Sequence, residues 1–267
     1  MVKKLVQIFL WIVVVILSVL FLTAFIVSLK TPRMDRDFEE ASKILPDITI
    51  STSSSSTMIT IAHVRDWRYK KGEVVSNNYY DETFDLSKMK QAYLLFNPFG
   101  KWEGVGHSFF VFEFEDGKSI SVSIEARKEV SEEYSAVRGF FNEYELWYAF
   151  GSVEDFESRR IVYFDEELYK YPLFIATSSA QALFLDLSRT AEKLETVPDF
   201  YNTLTSNCTN LLADSTNRVK KGSIPFHYSR LFTGFADNQL YDLGFIPHDK
   251  PFSEIYKEAR IDESFRW

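Results

Sequence analysis

Residues 106–127 constrain this chain most tightly. Gly106–Phe114 alternates strictly, with Phe110, Phe112 and Phe114 on one face and His107, Phe109, Val111 and Glu113 on the other. After Glu115-Asp116-Gly117, the run Lys118–Arg127 alternates again: Ile120, Val122, Ile124 and Ala126 against Ser119, Ser121, Ser123, Glu125 and Arg127. Period two on both sides of an Asp-Gly predicts a β-hairpin. A two-residue turn at Asp116-Gly117 would set the isoleucine face of one strand against the histidine face of the other. A three-residue loop with Gly117 in the left-handed region instead puts Phe110, Phe112 and Phe114 on one face with Ile120, Val122 and Ile124. Burial of one continuous apolar face selects the second register, because a slip of one residue inverts every side chain. That register sets His107 opposite Glu125, with Cβ atoms about 5 Å apart.

The lone cysteine of the chain, Cys208, lies in Ser206-Asn207-Cys208-Thr209-Asn210, where a helix is expected to start. Ser206 or Asn207 is a suitable N-cap. Leu211, Leu212 and Val219 give an apolar stripe, and Gly222 is expected to stand just past the helix end. A helix N-terminus offers unpaired N–H groups and positive partial charge, and both favour a thiolate. The bland alternative is a small buried hydrophobe. A single cysteine excludes an intramolecular disulfide and a multi-cysteine zinc site. His63, His227 and His248 have no metal-ligand spacing and read as structural.

Leu5–Leu29 carries no charge and would span about 37 Å as a helix, beyond a hydrocarbon core of ~30 Å. It reads as an uncleaved membrane anchor rather than a signal peptide, since Val27-Ser28-Leu29-Lys30 is a poor cleavage site. Lys3 and Lys4 precede it and Lys30, Arg33 and Arg36 follow, so the distribution of positive charge does not fix its orientation. Those five cations and Asp35 give residues 1–36 a net +4, so a chain of net charge −8 leaves −12 for the rest. An acidic body argues against nucleic-acid binding, and the basic flank suits lipid headgroups. The expected organisation is a tail at 1–4, a transmembrane helix at 5–29, a connector with a first strand at 30–57, and one domain at 58–267. Within these, the connector is partly helical around Asp37–Leu45 and closed by Pro46. Strands are expected at Asp47–Ser51 and Met58–Val64, and helices at Gln181–Glu195, Gln239–Leu243 and Phe252–Arg260. The fold class is α+β, an antiparallel sheet with packed helices.

Cysteine at a helix start, histidine on a strand and carboxylate on the next strand are the parts of thiol-mediated acyl transfer. The base takes the thiol proton, a third group orients the imidazole, and backbone N–H groups receive the oxyanion. The order His107, Glu125, Cys208 is that of a circularly permuted papain-like chain. Each residue also has a structural reading: His107 as a satisfied core histidine, Glu125 as a solvated strand residue beside Arg127 or Lys128.

Several blocks occur in series: Ile61-Ala62-His63-Val64-Arg65-Asp66-Trp67-Arg68-Tyr69, Tyr80-Asp81-Glu82-Thr83-Phe84-Asp85-Leu86, Gly106-His107-Ser108-Phe109-Phe110-Val111-Phe112, Ser123-Ile124-Glu125-Ala126-Arg127-Lys128-Glu129, Tyr144-Glu145-Leu146-Trp147-Tyr148 and Tyr201-Asn202-Thr203-Leu204-Thr205-Ser206-Asn207-Cys208-Thr209. From about Met58 to Arg260 the chain resembles the Lnb N-terminal periplasmic domain family. That family is linked to bacterial lipoprotein N-acyltransferases and is related to the permuted papain-like superfamily that includes lecithin:retinol acyltransferase. The resemblance implies thiol chemistry on acyl chains at the outer face of the cytoplasmic membrane, with Cys208 as nucleophile and His107 as base. Glu125 as third member comes from the hairpin register. Asn207, Arg127, Tyr201, Arg65, Tyr80 and Asp81 fall in these blocks as possible lining of the site. For Arg65, Tyr80, Asp81 and Arg127 a structural role, such as a buried Arg–Asp pair, stays open beside it. The implied partners are membrane phospholipid, a lipoprotein acceptor and an integral-membrane protein, because Lnb-type acyltransferases carry membrane helices after this domain. No metal or organic cofactor is implied. A cysteine hydrolase (lipase, thioesterase or cell-wall amidase) and a non-catalytic binding domain are the alternatives.

Overall fold

A computed structural model describes residues 2–54 and 56–261. The first residue of the expected tail, one serine of the 51–57 loop and the last six residues of the expected domain lie outside them. The elements in chain order are α1 (Val2–Ser28), α2 (Glu40–Lys43), β1 (Asp47–Thr52), β2 (Thr57–Lys70), β3 (Glu73–Asp85), β4 (Met89–Pro98), β5 (Gly106–Phe114), β6 (Ser119–Arg127), α3 (Ala136–Gly139), β7 (Glu145–Gly151), α4 (Val153–Ser158), β8 (Leu168–Pro172), α5 (Thr177–Thr196), α6 (Cys208–Val219), α7 (Ala236–Asp242), α8 (Phe252–Glu258) and β9 (Arg260–Ile261). This is a mixed α+β chain. One sheet runs in the order β1-β2-β7-β6-β5-β4-β8-β9, with β3 added alongside β2. Its pairings are antiparallel except β2 with β7.

The β5–β6 hairpin takes the three-residue-loop register: Phe112 pairs with Ile120, Phe110 with Val122 and Phe109 with Ser123. Gly117 has φ +85°, a conformation that costs a side-chain-bearing residue energy. The Phe114 N–H donates to Lys118 O across the turn at 2.9 Å. Phe110, Phe112, Phe114, Ile120, Val122 and Ile124 enter the main core beneath α5 and α6. The stripe of α5 supplies Leu183, Phe184, Leu187 and Ala191 to it, all buried. Each of the Leu and Phe side chains contributes roughly 1.5–3 kcal/mol on burial.

The opposite sheet face is buried too. Phe109 and Val111, with Leu95, Trp147, Ala149 and Leu168, form a second core closed by Phe156 of α4. The sheet is therefore covered on both sides, whereas the hairpin pattern called for only one apolar face. Serines at alternate positions of β6 hide this second interface in the sequence, because small hydroxyls read as a solvent face, yet Ser121 and Ser123 are both buried.

Other differences are local. The helix expected around Asp37–Leu45 is a single turn at α2, while β2 runs six residues beyond its expected end, to Lys70. Gly222, at φ +78°, stands in the turn after Lys220 rather than beside the helix end at Val219. Helix α1 is long enough to cross a membrane and buries none of its apolar span against the rest of the chain.

Candidate active site

Asn207 caps α6: its Oδ1 accepts from Asn210 N–H at 2.8 Å, and its Nδ2 donates to the carbonyls of Thr203 and Arg230. Those bonds fix Cys208 as the first helical residue. The first intrahelical acceptor is Asn207 O, reached by Leu211 N–H. Among the described residues nothing accepts from the N–H groups of Cys208 and Thr209. The thiol is buried, at 4 % exposure.

His107, one residue into β5, projects from the Phe109 face and stacks on that ring at 5.8 Å. Its Nε2 is 2.8 Å from Ser123 Oγ and 3.1 Å from Glu125 Oε1. Ser123 Oγ in turn donates to the same Glu125 oxygen at 2.8 Å. Arg160, from a π-helical turn that follows α4, gives that oxygen a third donor at 3.0 Å. With Nε2 so engaged, Nδ1 is the nitrogen free to meet the sulfur.

The charges follow from this geometry. Burial alone would lower His107, but the Glu125 carboxylate and the Cys208 sulfur outweigh it, and His107 is pushed up to about 9. Burial alone would raise Cys208; the His107 charge, a hydrogen bond from the imidazole and the Ser108 backbone N–H reverse this and bring the thiol below its ordinary value. Burial likewise opposes ionisation of Glu125, yet His107 and Arg160 hold it well below the usual carboxylate range. Both shifts favour a thiolate–imidazolium pair backed by a carboxylate.

Cys208, His107 and Glu125 open into one cleft of about 460 Å³. Asn207 and Tyr201 line it as well. The Tyr201 hydroxyl lies 3.2 Å from that of Tyr134, and burial keeps Tyr201 protonated. Much of the remaining wall is apolar: Phe99, Trp102, Phe140, Trp147, Phe164, Leu231 and Phe232.

Arg65, Tyr80, Asp81 and Arg127 are not in that lining. Arg65 is buried in a two-pronged pair with Asp155, at 2.8 and 3.0 Å. Tyr80 packs at the edge of the main core. Asp81 is exposed and accepts from His63 N–H. Arg127 donates to the carbonyls of Ser42 and Lys43 and lies over the Phe38 ring, so it clamps the connector. His227 accepts from Ser229 N–H, and His248 contacts its own loop. Sequence reasoning missed Ser123, Tyr134 and Arg160. Ser123 was within reach of it, since alternation puts it on the Glu125 face two residues earlier. The other two come from segments without a periodic pattern.

No curated protein and no solved structure matches the chain. A family model, described as the Lnb N-terminal periplasmic domain, matches residues 76–234, from the middle of β3 to the loop before α7. That stretch holds His107, Ser123, Glu125, Arg160 and Cys208, and it covers more than half of the chain, which therefore belongs to the Lnb N-terminal periplasmic domain family.

Proposed function

We propose that this protein is a membrane-anchored, cysteine-dependent acyltransferase that takes acyl chains from phospholipid. The observation that carries the reading is His107 held between Cys208 and the Ser123–Glu125 pair, at the base of an apolar cleft. The Cys208 thiolate attacks the ester carbonyl, and the unpaired N–H groups of Cys208 and Thr209 receive the oxyanion. As the ester C–O bond breaks, His107 passes its proton to the leaving lysolipid oxygen, and the acyl group stays on sulfur as a thioester. An amine then attacks the thioester and His107 accepts its proton. The C–S bond breaks, releasing an N-acyl product and the thiolate. The amino terminus of a lipoprotein is an acceptor of the right chemistry. The order of the three residues fits a permuted papain-like fold. The family's periplasmic character, together with α1, supports a single-pass protein of the cytoplasmic membrane with this domain on the outer side.

The test is intact mass of the full chain after incubation with mixed phospholipid, before and after neutral hydroxylamine, beside Cys208→Ala. A fatty-acyl adduct that hydroxylamine removes, and that the variant lacks, is expected. Release of free fatty acid without transfer to an added amine peptide would replace the transferase with a hydrolase. A lipid-exposed, folded protein with no adduct and no released acid would leave a hydrolase of non-lipid substrates or a binding domain.

A further inference from the structure

Three guanidinium groups gather around the π-helical turn at Arg159–Tyr163: Arg65, Arg159 and Arg160. Two have carboxylate partners, Arg65 with Asp155 at 2.8 Å and Arg160 with Glu125 at 3.0 Å. Arg159 has none. Among the described residues no hydrogen bond or ion pair ends on its side chain, which lies 5.5 Å from the centre of the Phe164 ring. Burial, and then the charges of Arg65 and Arg160, pull its pKa below the ordinary arginine value. It nevertheless stays charged at neutral pH, as arginine does.

Arg159 lines the same cleft as Cys208. Of the other charged groups of that lining, Glu125 attracts it at a distance, but none makes an ion pair with it. Lys128 is paired with Glu39 at 2.8 Å, and Glu125 is committed to His107 and Arg160. Glu166 makes no ion pair with it, and its own buried Oε2 has no partner. A half-buried cation without a counter-ion is costly to keep, and a guanidinium offers the forked donor that fits a phosphate. The exposed rings of Trp102, Phe140 and Phe232 line the same cleft.

We propose that Arg159 is an anion-binding residue that receives the phosphodiester of the phospholipid donor while its acyl chain lies along the apolar wall. This rests on the acyl-transfer reading for the identity of the lipid as donor, but binding can be measured apart from chemistry. The full chain carrying Cys208→Ala, in detergent, is titrated calorimetrically with dihexanoyl phosphatidylglycerol, dihexanoylglycerol and inorganic phosphate. Adding Arg159→Gln is expected to weaken phosphatidylglycerol at least tenfold and leave dihexanoylglycerol unchanged. Arg218→Gln, whose guanidinium pairs with Asp186 on the surface, is expected to change neither. If Arg159→Gln lowers the melting temperature, Arg159→Lys carries the comparison, with a loss of about threefold or more confined to phosphatidylglycerol.

Equal weakening of both lipids, or of neither, overturns the anion site. Inorganic phosphate binding as tightly as phosphatidylglycerol overturns the lipid assignment and makes a free phosphate the ligand. An Arg159-dependent preference for phosphatidylglycerol in a chain whose wild type forms no thioester would overturn acyl transfer and leave this site standing.

Discussion

Ser123 makes the proposed catalytic set a four-residue one. Its hydroxyl accepts from His107 and donates to Glu125, so the imidazole is held by two acceptors instead of one. The charges of Glu125, His107 and Cys208 give a proton distribution unlike that of free side chains: the thiol is lowered while His107 is raised to about 9. Because Cys208 is the lone cysteine, alkylation by iodoacetamide reads its thiolate directly, without any substrate. The rate in the wild type is expected to rise with pH through a midpoint below the ordinary thiol value. In His107→Ala the midpoint moves above that value, since burial and the Glu125 charge are then opposed by the Ser108 N–H alone. In Glu125→Gln, His107 loses the partner that most raises it, so the imidazolium is lost at lower pH. Stability follows the same signs. The His107 contribution is present in full below its ordinary value of 6.5 and is lost as pH rises through about 9. The Glu125 contribution is present above its ordinary value of 4.5 and is lost as pH falls through its depressed one. An unchanged alkylation midpoint in His107→Ala would show that the imidazole does not govern the thiol.

At the scale of elements, the hairpin and α6 were legible because their signals are local. An Asp-Gly turn, strict alternation and a cap residue each act within a few positions, and together they sufficed to bring His107 to Glu125 and to set Cys208 at a helix start. The α4 segment and the π-helical turn were not legible. Val153–Tyr163 has no clean period, and its place depends on Asp155, a residue that looks ordinary in sequence. Asp155 accepts from Arg65 at 2.8 and 3.0 Å, from Trp67 N–H at 3.0 Å and from Tyr69 OH at 2.9 Å. This one carboxylate ties α4 to β2, and through the turn that follows it positions Arg160 on Glu125. Asp155→Ala leaves Arg65 buried and unpaired, and a loss of about 3–5 kcal/mol in unfolding free energy is expected by denaturant titration. Changing Arg65→Met in the same chain should recover part of that loss, as an apolar replacement removes the stranded charge. A surface-like effect below about 1 kcal/mol for Asp155→Ala would mean that the pair does not hold the element.

At the scale of the whole molecule, the anchor is not a loose tether. Beyond α1, Lys30 pairs with Glu143 at 3.1 Å, and the buried Glu145 accepts from Arg33 N–H at 3.1 Å and pairs with Arg36 at 2.9 Å. The Glu39 N–H then donates to Lys128 O, and Val130 N–H to Asp37 O, so the connector runs beside the strand that carries Glu125. Glu39, Ala41 and Ser42 line the cleft itself. The segment that follows α1 therefore forms part of the wall around Cys208, an arrangement invisible in a sequence whose connector reads as a polar, partly helical segment. If this docking sets the cleft's orientation to the membrane, loosening it should separate two activities. Arg36→Ala with Glu145→Gln removes the buried tie without touching the thiol, the imidazole or Glu125. Thioester formation from lipids in a bilayer nanodisc is expected to fall about tenfold, while thioester formation from a monomeric short-chain phospholipid and the alkylation rate of Cys208 stay near wild type. Equal loss on both lipids would mean that the connector supports the cleft wall rather than its orientation. No loss on either would reduce it to a spacer.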